Sequence, residues 1–201
     1  MSAALAAAIM PGGLADPVHD AQRVFRQLLA AFAYPGRIEA LAALDAAPAP
    51  LLPSAAAVCL ALLDHDTPLW LDRAADVPAV RDFLRFQCGC PIVARPGDSR
   101  FAVVADAATM PPLADFALGD AAYPERSTTV ILQVADLRTA GPLRLRGPGI
   151  KDHTALGLDG LPARFWPEWA ANGERFPCGV DVVLAAPGKI AALPRTVTVE
   201  F

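Results

Sequence analysis

The sequence predicts a single α/β domain in which helices flank a mixed β-sheet. Segments with an apolar residue every three to four positions alternate with short runs of β-branched residues, which is the pattern of this class. Residues 128–134 form a continuous apolar run of the kind found in central strands. The chain of 201 residues suits one core, and we find neither a repeat nor a domain boundary. We expect a loosely held arm over residues 1–15 and one domain over residues 16–201.

The first predicted helix has well-marked ends. Asp16 is a good N-cap, Pro17 suits the first helical position, and Pro35-Gly36 ends the helix. The apolar spacing predicts one buried face, with Phe25 and Leu29 in the core, so we expect Phe25→Ala to destabilise more than Asp16→Ala. In chain order, the predicted helices cover residues 17–33, 53–63, 77–86, 112–118 and 162–172.

The predicted strands are short and mostly apolar. In chain order they cover residues 37–41, 69–71, 92–94, 101–104, 128–134, 181–185 and 196–201. A turn at residues 96–99 separates two of them. Residues 143–146 alternate between leucine and arginine, which predicts a half-exposed strand.

The composition excludes several classes of function. A net charge of −4 argues against a general binder of nucleic acid or of anionic membranes, and no apolar run approaches the roughly 18 residues of a membrane span. Residues 2–10 lack the basic start of a signal peptide, so we expect a reduced, cytoplasmic protein. The hydrophobic content of 54% with 19% charged residues is high for a soluble monomer and indicates surfaces that partner chains cover.

Two segments carry the candidate binding residues. Arg144 and Arg146 lie two residues apart on one strand face, where both would reach a phosphate or carboxylate, and Gly147 and Gly149 follow in a turn that offers backbone N–H groups. The alternative is an exposed edge strand that ends in a Gly-Pro turn, and we favour it. His19 is either a functional residue or a first-turn residue paired with Asp16, and we favour the pairing.

Two other clusters are poor candidates for a catalytic or metal site. Adjacent side chains diverge, so at most two of Asp64, His65 and Asp66 share a site, and a solvated loop is the preferred interpretation. Cys88-Gly89-Cys90 lacks the second pair of ligands typical of structural zinc. Cys59 lies in an apolar helix and is expected in the core. We expect neither a metal nor a cofactor.

Several blocks of the sequence together resemble the PhnH family, one of the component families of the bacterial carbon–phosphorus lyase system. The blocks follow one another in the family's order and cover the chain from about residue 11 to its end. They are residues 16–26, Tyr34-Pro35-Gly36-Arg37, Thr67-Pro68-Leu69-Trp70, residues 123–128, residues 141–150, Leu161-Pro162 with Phe165, Trp166, Trp169 and Asn172, residues 176–181, and Leu193-Pro194-Arg195-Thr196.

The resemblance implies a fold, a function and partners. The family's fold is similar to a reduced pyridoxal-phosphate-dependent transferase without the cofactor, so Lys151 is expected to be a surface residue rather than a Schiff-base lysine. The implied function is that of an accessory subunit, which works with subunits G, I and J, and with L, to form ribose 1-phosphonate 5-triphosphate from ATP and an alkylphosphonate with release of adenine. A homodimer is expected when the chain is alone. A stand-alone transferase-like enzyme is the alternative.

The aromatic block Phe165, Trp166 and Trp169 has two interpretations. Tryptophan is enriched in the energetic centres of protein interfaces, so the block is a candidate anchor for a partner. The same spacing also suits the buried face of a helix, and we favour the core.

Overall fold

A six-stranded mixed sheet forms the centre of the protein in the computed structural model, which describes residues 12–200. The strands of the protein are β1 (Glu39–Ala40), β2 (Leu69–Leu71), β3 (Phe101–Val104), β4 (Thr129–Gln133), β5 (Leu137–Arg146), β6 (Thr154–Leu158), β7 (Asp181–Ala186), β8 (Lys189–Leu193) and β9 (Thr198–Glu200). The order of the central sheet is β1-β8-β7-β4-β3-β2; strands β2, β3, β4 and β7 are parallel, and β8 and β1 add antiparallel at one edge. The mixed α/β fold is therefore confirmed.

A second, antiparallel sheet has the order β6-β5-β9. Leu143 and Leu145 of β5 are buried and Arg144 and Arg146 are exposed, which confirms the predicted half-exposed strand. Strand β6 was not predicted because Gly157 interrupts its pattern; a Cβ there would lie 2.5 Å from the carbonyl oxygen of Ala140, so close backbone approach requires glycine.

Helices cover both faces of the central sheet. Helices α1 (Pro17–Ala33), α2 (Pro53–Leu62) and α3 (Pro78–Cys88) pack on one face, and α4 (Phe165–Gly173) and the small sheet contribute to the core on the other. The predicted helix at 112–118 is only a 3₁₀ turn at Leu113–Asp115, and of the predicted strand at 92–94 only Ile92 forms a bridge, with Leu69. Within residues 12–200, no helix is both long and apolar enough to span a membrane.

The placement of Phe25 and Leu29 in the core is wrong. Phe25 is 45% exposed and Leu29 is 52% exposed. The face of α1 that packs against the body holds Val24, Leu28 and Ala31, and each next residue along a helix is turned by about 100°. The apolar residues of α1 thus cover a wider arc than the helix buries. Residues 1–11 of the predicted arm, and Phe201 of the predicted last strand, lie outside the described residues.

Candidate functional site

Arg144 and Arg146 share the solvent face of β5, as the alternation predicts. The Arg146 guanidinium lies 3.3 Å from the Glu200 carboxylate and donates a hydrogen bond to the Asp152 carbonyl oxygen at 3.3 Å. Arg144 is exposed and stands in register between Ala155 of β6 and Glu200 of β9. Of the two, Arg146 is thus held by this chain's own acceptors.

The glycines of the following turn have a structural role. Gly149 has φ +82° and a Cβ there would lie 2.0 Å from the carbonyl oxygen of Ala33, so the turn lies directly against the end of α1. A Cβ at Gly147 would lie 3.0 Å from the carbonyl oxygen of Thr196. Close packing against two other segments accounts for both glycines.

His19 lies at the other end of α1, in the first turn of the helix. Its Nδ1 is 2.8 Å from a carboxylate oxygen of Asp16, whose other oxygen accepts hydrogen bonds from the backbone N–H groups of Val18 and His19. The backbone N–H of His19, and then its side chain, hold the pKa of Asp16 below its ordinary value. Helical rise separates His19 from Ala33 by about 21 Å, so the structure does not bring His19 to the Gly147–Gly149 turn.

A polar junction around Arg195 joins segments that are far apart in sequence. The guanidinium binds the Asp181 carboxylate, with Nε 3.1 Å from Oδ1, and donates to Ser127 Oγ at 2.6 Å. It also donates to the carbonyl oxygens of Pro124 and Pro177, at 3.2 and 3.1 Å. The Arg195 side chain is only 12% exposed. Sequence reasoning missed this role, although Arg195 stands in one of the resemblance blocks.

Helix α4 is fixed to the same region by side-chain hydrogen bonds. Asn172 donates to the carbonyl oxygen of Val180 at 2.9 Å and accepts from its N–H at 2.8 Å, and Trp169 Nε1 donates to the carbonyl oxygen of Val197 at 2.9 Å. A Cβ at Gly179 would lie 2.8 Å from Asn172 Oδ1, so this close contact requires glycine. The later resemblance blocks therefore meet in one packed junction.

Beside this junction lies an open apolar groove of about 530 Å³. Trp166, Phe176 and Pro148 line it together with the residues that lead into β9, and Glu174 and Arg195 are its charged residues. Phe165 and Trp169 are buried, so the core interpretation holds for these two members of the aromatic block. Trp166 is half-buried at the groove.

The Asp-His-Asp and Cys-Gly-Cys clusters are neighbours. A Cβ at Gly89 would lie 3.9 Å from the Cβ of His65. His65 and Asp66 are exposed and 3.3 Å apart, as expected of a solvated loop. Cys59 is buried as predicted, and burial raises the pKa of its thiol. In the part of the chain that the structure describes, no three His, Cys, Asp or Glu side chains are arranged to hold a metal ion.

Neither lysine of the chain forms a cofactor site. The Lys189 ammonium donates to the Asp136 carboxylate at 3.0 Å and to the carbonyl oxygen of Leu137. The hydrogen bond from Lys189 holds the pKa of the Asp136 carboxyl below its ordinary value. Lys151 is exposed in the connection between β5 and β6. The fold and site thus define a small α/β protein. Most of the residues in its resemblance blocks that we can place either pack segments against one another or lie on the surface.

Comparison with known proteins assigns the family. The family model described as bacterial phosphonate metabolism protein (PhnH) matches residues 12–200, and the chain belongs to that family. It is 43% identical, over 96% of both chains, to a Rhizobium meliloti protein named α-D-ribose 1-methylphosphonate 5-triphosphate synthase subunit PhnH. It is 31% identical to a putative C-P lyase subunit protein, HtxG, of Stutzerimonas stutzeri, over 90% of this chain and 86% of that protein. The resemblance drawn from the motifs is confirmed.

Proposed function

We propose that this chain is an accessory subunit of the assembly that forms ribose 1-phosphonate 5-triphosphate from ATP and an alkylphosphonate, with release of adenine. The observation that carries the proposal is the 43% identity, across 96% of both chains, to a protein named as a subunit of such a synthase. We further propose subunits G, I and J, together with L, as the partners, a homodimer for the isolated chain, and a cytoplasmic location. Four free cysteines suit a reducing compartment.

The chemistry of the described side chains supports an accessory role. Arg195, the most deeply placed arginine of the junction, donates to four groups of this chain and is thereby held in a structural position. His19 and Arg146 have partners of their own. Arg144 is exposed on the open face of the small sheet, and we propose it, with Arg146 beside it, as a contact for a ligand or partner.

We also propose that the fold is a reduced form of the pyridoxal-phosphate-dependent transferase fold that binds no cofactor. Lys151 is exposed, so a Schiff base at this position would stand in water rather than in a pocket. The purified chain should show no absorption band of an internal aldimine that Lys151→Ala removes. Elemental analysis should find far less than one zinc per chain.

Reconstitution tests the accessory role. The chain alone, supplied with ATP and methylphosphonate, should release no adenine, whereas the mixture that also contains subunits G and I should release it at a measurable rate. Omission of this chain from the mixture should lower that rate. Adenine release by the chain alone would contradict the proposal.

A stand-alone transferase-like enzyme is the second candidate. The groove beside α4 favours it, because a volume of about 530 Å³ lies within the range of small-molecule sites. Its lining is mainly apolar and includes half-buried Trp166 and exposed Phe176. Adenine release by the chain alone, abolished by a substitution in this groove, would establish the enzyme instead.

A further inference from the structure

The outward surface of α1 carries apolar residues that the rest of the described chain, residues 12–200, leaves exposed. Val18, Phe25 and Leu29, which we call the α1 stripe, are 75%, 45% and 52% exposed. Helical geometry places them within about 40° of one another and along about 16 Å of the helix. Exposed apolar residues scattered singly are ordinary, whereas an aligned set on one helix is the arrangement that docks into a complementary surface.

One cation that is unpaired within residues 12–200, Arg26, borders the α1 stripe on one side. His19, Arg23 and Arg26 line a shallow groove next to the stripe, with Glu39 at its wall. Asp16 pairs with His19 and Asp20 pairs with Arg23. Arg26 is exposed and has no ion pair among the described residues. Although the chain as a whole is negative, this flank offers a cation to a carboxylate from outside.

We propose that the α1 stripe is the docking surface for another subunit of the assembly, one that presents an apolar patch with carboxylates beside it. The proposal rests on the function proposed above and names the surface through which that function is exercised. An apolar centre with charges at the rim is the composition of a specific protein interface, and complementary charges set its orientation.

Symmetry disfavours a second copy of this chain as the occupant. A two-fold axis that places two antiparallel α1 helices face to face sets the flank that carries Arg26 against the same flank of the other copy. The carboxylates of that flank, Asp16, Asp20 and Glu39, are already paired within their own chain, so this arginine would find no free carboxylate there. Parallel helices set the basic flank against the side that holds Ala21 and Phe32, which carry no charge. The one carboxylate of α1, Asp20, is already buried and paired. A homodimer would therefore use another surface.

Binding to the isolated complex of subunits G, I and J tests the surface. The double variant Phe25→Ser/Leu29→Ser should bind at least about 100-fold more weakly than the wild type, as expected for central interface anchors. Arg26→Glu should weaken binding about tenfold and reduce its dependence on salt. The matched controls are Phe86→Ser, at an exposed phenylalanine of α3, and Arg73→Glu, at an exposed arginine outside α1. Both should bind like the wild type.

The outcomes separate this proposal from the one on which it rests. A wild-type chain that does not bind the complex overturns both. A wild-type chain that binds, with the double variant binding equally well, overturns the docking surface alone. The surface is also wrong if the double variant converts a dimer to a monomer, which assigns the stripe to a second copy.

Discussion

Helices α1 and α4 contribute to the cores on opposite faces of the same sheet, and they use their apolar residues differently. Helix α4 buries Phe165 and Trp169 and fixes itself through Asn172 and the indole N–H of Trp169. Helix α1 buries Val24 and Leu28 but leaves Phe25 and Leu29 about half exposed. The difference shows that α1 carries more apolar side chains than the described residues bury, and the docking surface proposed above would cover the excess.

The largest difference between α4 and α1 should appear in the free energy of unfolding when one phenylalanine of each helix is replaced by alanine. Phe165→Ala removes a fully buried ring that lies beside Trp166 and Trp169, and we expect it to lower the free energy of unfolding by about 3–5 kcal/mol. Phe25→Ala should cost less than about 1 kcal/mol, because nearly half of that residue is already in water. Urea unfolding at equal slopes measures both. Equal losses would show that α1 is as deeply packed as α4.

Removal of one side-chain amide from each helix should also destabilise α4 more than α1, with a smaller difference in the free energy of unfolding. Asn172→Ala leaves the N–H and carbonyl oxygen of buried Val180 without their partner, which we expect to cost about 2–4 kcal/mol. Gln27→Ala, the matched change in α1, removes an exposed hydrogen bond to the carbonyl oxygen of Ala40 and should cost less than about 1 kcal/mol. Thermal unfolding of the pair gives the comparison, and a Gln27→Ala loss as large as that of Asn172→Ala would contradict it.

The cap of α1 should produce the smallest effect, a dependence on acid pH. The pKa of Asp16 is lowered by the hydrogen bonds from His19 and Val18, so its stabilising contribution is present above the unfolded-state value of about 3.9 and is lost as the pH falls through the lower folded-state value. A carboxyl-carbon NMR titration should give a pKa for Asp16 below about 3.9. His19→Ala should move it part of the way back. An unshifted pKa would show that the cap does not form.

Local signals account for the parts of the fold that the sequence predicted correctly. Helix α1 has its predicted bounds because Asp16-Pro17 and Pro35-Gly36 mark its ends within a few residues. Strand β4 was predicted because Val130, Ile131 and Leu132 form an apolar β-rich run, which is typical of a strand covered on both faces. Strand β8 was not predicted: its two central alanines are a weak strand signal, and the strand pairs with β7.

The junction could not be predicted, because its contacts are distant in sequence. Arg195 lies 14 residues from Asp181, 68 from Ser127 and 71 from Pro124. No local sequence pattern predicts contacts between residues so far apart, and an arginine that follows a proline has no local feature that distinguishes it from an exposed arginine. The exposure of Phe25 was missed for a related reason, since spacing gives the width of an apolar arc but not the part of it that the body covers.

Hydroxyl-radical footprinting, read out by mass spectrometry, tests most directly the claim that this chain acts through a surface of α1. The oxidation rates of Phe25 and Leu29 are measured for the chain alone and in complex with subunits G, I and J, with Phe86 of α3 as the exposed reference. We expect both α1 residues to be protected in the complex and Phe86 to react at an unchanged rate. Unchanged rates at Phe25 and Leu29 in a complex that has demonstrably formed would contradict the account.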